Sequence, residues 1–163
     1  MAILPILRWP DPRLSTLATP AAADDGALRL AQDMLDTMYA AEGRGLAAPQ
    51  IGVLSRVFVM DVNWKTGPRM PEIFLNPDII WRSQITAAGP EACLSIPGPV
   101  TLVTRATEII LRWITPEGAI AAQKLIGFRA ICAQHEIDHL DGIVTLDRLT
   151  PEARAKAVAE IAA

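Results

Sequence analysis

Apolar residues recur at helical spacing in one early stretch of the chain. Leu28, Ala31, Met34, Leu35, Met38 and Tyr39 fall on one face of a helix, a stripe that reads as core packing. Asp24 or Asp25 supplies its N-cap, and Gly43 and Gly45 end it. Before it, Pro10, Pro12 and Pro20 make residues 8–23 an extended lead-in. After it the period shortens. Residues 56–62 form a β-branched and aromatic strand. Short strands at 73–75 and 79–81 are split at Asn76-Pro77, and 83–91, with Gly89 and Pro90, reads as irregular. A strand at 107–114, a turn at 116–118 and a returning strand at 120–125 predict a hairpin. A second helix spans about 127–140, with Phe128 and Ile131 on its apolar side and Gly142 as C-cap; no side chain caps its start. Thr150 and Pro151 open a last amphipathic helix. Helices at both ends with strands between make the fold class α+β.

At 163 residues one domain, 1–163, is expected, long enough to bury a core without disulfides. A net charge of −3 gives no broad basic face for nucleic acid. Two cysteines, Cys93 and Cys132, make no disulfide framework and favour a reduced, intracellular setting. The apolar N-terminal stretch 1–8 is short and broken by Pro5, unlike a signal sequence, and nothing later approaches a membrane span. A cytoplasmic protein is the expectation.

The chemistry concentrates in Gln134-His135-Glu136-Ile137-Asp138-His139, a His-Glu-x-x-His pattern that holds the only two histidines of the chain. Histidines four apart on a helix share a face about 6 Å apart along the axis, so both rings reach one metal ion. Glu136 lies about 100° round the helix, where a carboxylate takes a proton from the attacking water. A catalytic site of this kind wants three protein ligands. Thr145 stands where one protease variant has a third histidine, and Glu160 is close to a chain end that frays. Cys132 is about 10 Å along the helix from His139, too far for a bond of about 2.3 Å, and reads as a small buried residue. Cys93 is left, in the proline-stiffened stretch Glu91-Ala92-Cys93-Leu94-Ser95-Ile96-Pro97. Cys93 as nucleophile is the weaker alternative, because it leaves Glu136 and one histidine without a purpose. A Cys-His-His set suits Fe(II), Zn, Ni or Co.

Three segments, in this order and spacing, resemble peptide deformylases. They are Gly43-Arg44-Gly45-Leu46-Ala47-Ala48-Pro49-Gln50, Glu91-Ala92-Cys93-Leu94-Ser95, and the histidine motif itself. The resemblance runs to about residue 148. It implies mostly antiparallel sheets around a central metal helix, and removal of the formyl group from N-terminal formyl-methionine of nascent chains. It also implies Cys93, His135 and His139 as ligands, usually of Fe(II), with Glu136 as general base and then acid. The amide of Gln50 and the backbone N–H of Leu94 would hold the oxyanion, and losing one such donor costs about 100-fold or more in rate. Gly45 would hydrogen-bond an extended peptide. Arg44, Gly89 and Phe128 complete the substrate-contacting set. Family members usually carry Gly at Ala92, an apolar residue at Arg44, a bulky aliphatic at Gly89 and often arginine at Val100, so this substrate groove differs from theirs. One explanation is that Arg44 restores the missing positive charge from the opposite side. The rival readings are a different metal amidase or peptidase on the same scaffold, and a binding protein that keeps the fold. Arg148, Arg154 and Lys156 near the last helix offer a surface to the ribosome, although a solvated face explains them as well.

Overall fold

In the computed structural model, which describes residues 2–163, helices α1 (Asp25–Ala40), α2 (Gly127–Leu140) and α3 (Pro151–Ala162) frame seven strands. Strands β1 (Gly45–Ala47), β2 (Val57–Met60), β3 (Glu72–Arg82), β6 (Glu108–Ile114) and β7 (Ile120–Ile126) form a five-stranded sheet in the order β1-β2-β3-β6-β7. β4 (Thr86–Cys93) and β5 (Ile96–Ala106) pair separately as a ribbon. Every strand pair is antiparallel, so short turns suffice to connect neighbours.

The first helix forms because the Asp24 side chain accepts a hydrogen bond from the Ala27 N–H at 2.9 Å, and because Ala27, Ala31, Met34, Leu35 and Met38 bury one face. That face packs on β1 and β2. Leu28, expected inside, is 36% exposed; Ala27 takes its place. Neither Gly43 nor Gly45 caps the helix. Glu42 adopts the left-handed conformation at φ 56°, and the N–H groups of Glu42 and Gly43 donate to Tyr39 and Met38. Two backbone bonds of this kind satisfy the last carbonyls even without glycine in the left-handed position.

Two expectations about strands need correction. Residues 72–82 form one strand, not two. Asn76, at φ 49°, sits in a bulge, and its side chain exchanges two hydrogen bonds with the backbone of Ala21. The Asn-Pro pair thus bends the strand without ending it. Residues 86–93 are also strand, although Ala-Ala-Gly-Pro has little β-propensity. Their partner β5 is 11 residues long and imposes the conformation, while Pro90 is tolerated because β4 has only one neighbour. The hairpin of β6 and β7 follows the expectation.

Helix α2 lies between the two sheets, touching β1, β2, β6 and β7 on one side and β5 on the other. Every residue from Cys132 to Leu140 is buried, including the polar Gln134, His135, Glu136, Asp138 and His139. The polar side chains in this covered half of the helix can therefore find hydrogen-bond partners only inside the protein. Its first turn has no side-chain cap, in agreement with the sequence. Its end is a left-handed Gly142 at φ 73°, with Ile143 N–H donating to Asp138 at 2.8 Å. A Cβ on Gly142 would lie 2.9 Å from the backbone of Ser15, which cannot rotate aside. Gly142→Ala is expected to cost about 1–3 kcal/mol, a loss of several degrees in Tm, read by thermal or urea unfolding.

Candidate metal centre

Cys93, at the end of β4, meets the buried rings of His135 and His139 from α2. One donor atom from each lies within 4.8 Å of the other two. The Cys93 sulfur is 3.3 Å from Nε2 of His139, and the two rings are 5.0 Å apart between centroids. Burial alone would push the Cys93 thiol up, but the positive charge of His139 and hydrogen bonds from both rings pull it well below its ordinary value. A thiolate is the ligating form of cysteine. For Cys132 the direction is opposite. Burial, reinforced by the charge of Glu136, raises its pKa well above the usual range and keeps it a neutral thiol. It bonds weakly to the Arg44 carbonyl and stands outside the cluster.

The donor set fits a divalent metal. Thiolate and two imidazoles are the ligands of an open three-residue site, and Nδ1 of His135 is held by Glu91 at 2.8 Å, which leaves Nε2 free to ligate. Glu91 is itself gripped by Arg105 through two bonds of 2.9 Å. Burial on its own would raise the Glu91 carboxyl, yet the bonds from Arg105 and His135 hold it at about 2. Arg105 also donates to Asp138 at 2.6 Å, and Arg148 closes on the same carboxylate at 2.6 Å. The sequence reading missed Glu91, Arg105 and Asp138. The only available signal was a charged Arg105 amid the apolar residues of a strand whose alternation is inverted, with Thr101, Val103 and Arg105 inside and Val100 and Leu102 outside. The same network accounts for Arg148, and Arg154 pairs with Asp147, so two of the three cations expected to face outward are engaged within the chain.

Glu136 is buried beside the cluster, and its Oε2 has no hydrogen-bond partner among the described residues. Burial raises its pKa despite the nearby histidines. An unpaired carboxyl of raised basicity is suited to accept and return a proton. Gly45 explains how it is reached. A Cβ there would meet Glu136 Oε1 at 2.5 Å and Cys132 Sγ at 2.9 Å, so only glycine lets the edge strand β1 lie against the carboxylate.

Gln50 sits in a short 3-10 turn after β1. Its carbonyl oxygen accepts from Ala47 N–H at 2.9 Å, which turns its amide nitrogen toward Ser95, at 3.2 Å, and the Cys93 sulfur, at 3.8 Å. A cavity of about 650 Å³ opens over these groups, lined by Gln50, Leu94, Cys93, His135 and Glu136 at one end. Gly45, against Glu136, and Arg44 and Phe128 also line it. Gly89 is not among its walls; it pairs with Val103 in the ribbon, with open space around it. Ala92 also borders the cavity and does not have a positive φ, so its methyl group brings no backbone strain.

A family profile described as polypeptide deformylase matches residues 3–155. A peptide deformylase of Alkalilimnicola ehrlichii is 51% identical over 92% of this chain and 84% of its own length. A peptide deformylase-like protein of Rhizobium meliloti is 42% identical over 97% and 91%. The crystal structure of a peptide deformylase from Legionella pneumophila superposes with a TM-score of 0.92 at 37% identity, over 99% of this chain and 94% of that one. With the profile covering nearly the whole chain and relatives this similar in sequence and fold, the chain belongs to the polypeptide deformylase family.

Proposed function

We propose that this chain removes the N-formyl group from formyl-methionine at the start of nascent polypeptides, releasing formate. The observation that carries the reading is a buried, unpartnered carboxyl on Glu136 beside a buried Cys-His-His cluster at the floor of an open cavity. Cys93, His135 and His139 would hold one divalent ion, which we take to be Fe(II), with Zn, Ni and Co able to replace it. When bound, that ion supplies Lewis acidity toward the formyl carbonyl and lowers the pKa of water.

The chain's own residues do the rest. Glu136 takes the proton from the attacking water and passes it to the peptide nitrogen as the C–N bond breaks. The Gln50 amide and the Leu94 N–H donate to the oxygen that gains charge, and being neutral and fixed they need little rearrangement. The free edge of β1 at Gly45 offers backbone groups to an extended peptide, which adds as a further strand. Glu91 and Arg105 hold His135 in the ligating orientation.

None of the described helices is long and apolar enough to cross a membrane. We place the reaction in the cytoplasm, where formylated chains emerge, with the ribosome as a partner. The test is formate release from formyl-Met-Ala-Ser against its acetylated analogue, using anaerobically purified protein of measured metal content. Rapid release from the formyl peptide alone is expected. A metal-loaded protein that releases no formate would instead be an amidase of other specificity, and one that binds no metal would be a non-catalytic member of the family.

A further inference from the structure

The far end of the cavity is not apolar. Phe128 and His135 are seven residues apart on α2, about 10 Å along the axis, so the cavity runs two helical turns from the reacting end to Phe128. There the Arg44 guanidinium lies 5.3 Å above the Phe128 ring. That ring is its sole partner among the described residues. No carboxylate among them pairs with it, and its Nε is buried without an acceptor. Glu42 borders the same cavity but does not reach it. The other cations on the wall, Arg8 and Lys65, are exposed to water. The Nε is covered by the protein, whereas the two terminal nitrogens form no hydrogen bond within the described residues and are the donors that an oxygen of a ligand in the cavity would meet. Arg8 and Lys65 as well as Glu42 border the cavity, so an ionised ligand would meet both attraction and repulsion, and a neutral oxygen acceptor is enough to pair with the guanidinium.

We propose that Arg44, seated on Phe128, makes this pocket select a first side chain of methionine length that carries a neutral oxygen acceptor, the chemistry of methionine sulfoxide, over an apolar chain of equal length. The inference rests on the deformylase reading above. The alkyl stem would lie along Phe128 and Ile131, and the sulfoxide oxygen would accept from the guanidinium. A hydrogen bond from a charged donor is worth about tenfold or more in binding.

The experiment measures kcat/KM of the metal-loaded protein and of Arg44→Met on three peptides: formyl-Met(O)-Ala-Ser, formyl-norleucine-Ala-Ser and formyl-Met-Ala-Ser. The ratio of sulfoxide to norleucine peptide is read within each protein, so a general change in activity cancels. A ratio of about 10 in the parent protein that falls to about 1 or below in R44M is expected. A parent ratio of about 1 or below overturns the inference without any variant, as does a higher ratio that R44M leaves unchanged. If the parent protein releases formate from none of the three, the deformylase reading itself has failed.

Discussion

Glu136→Gln is expected to lower kcat for formate release by about 1,000-fold while the protein still binds one metal ion per chain. Glutamine keeps the shape of the side chain but cannot take up a proton, and losing a positioned acid–base group costs about 100- to 10,000-fold. A loss well above the lower end of that range is expected because one carboxyl serves both halves of the reaction. No other unpartnered carboxyl among the described residues lies beside the cluster. Glu91 is fully occupied by Arg105 and His135, and Asp138 by Arg105 and Arg148. Metal content measured by elemental analysis, together with single-turnover kinetics, separates this outcome from loss of the site. Activity within about tenfold of the parent protein would remove Glu136 from its assigned role.

Arg105→Met is expected to have the largest effect on stability. Arg105 is 6% exposed and gives three hydrogen bonds to two buried carboxylates. Removing one partner of a buried ion pair leaves an uncompensated charge, at a cost of about 3–5 kcal/mol. For a chain of this length that is roughly 10 °C in Tm. Glu91 bears most of the damage, since Asp138 keeps its bond to Arg148. A loosened Glu91 no longer fixes the His135 ring, so metal affinity should fall about 10- to 100-fold as well. Adding Glu91→Gln to Arg105→Met removes the stranded charge and should recover part of the stability but not the metal affinity. If the single variant unfolds within about 1 kcal/mol of the parent, the network is not holding the site together.

Much of the architecture was legible because it depends on local chemistry. Asp24 and Thr150 cap their helices through side chains that bond three residues ahead, and Gly142 supplies the one conformation that ends α2. The residues that misled did so because distant partners overrode their own preferences. Ala87, Ala88 and Gly89 are poor strand formers held in a strand by β5, and Asn76 bends β3 because Ala21, 55 residues away, satisfies its amide. Glu42 stands in a backbone conformation that favours glycine, and nothing nearby in sequence announces it.

The site divides along the same line. By itself the sequence pointed to the groups proposed to carry the chemistry: two histidines and a glutamate at helical spacing, one cysteine left after elimination, and, only through the family resemblance, a glycine-rich segment ending in Gln50. Helical periodicity is rigid over four residues, so the grouping of His135, Glu136 and His139 follows from spacing alone. Only the tertiary structure decided what surrounds them. It buried α2 from Cys132 to Leu140, which drew Glu91, Arg105 and Asp138 into one network, and it left the Glu136 carboxyl unpaired. It placed Gly89 away from the cavity and stacked Arg44 on Phe128 within it. These contacts join segments tens of residues apart, and no local preference encodes them; they exist because two sheets close over one helix.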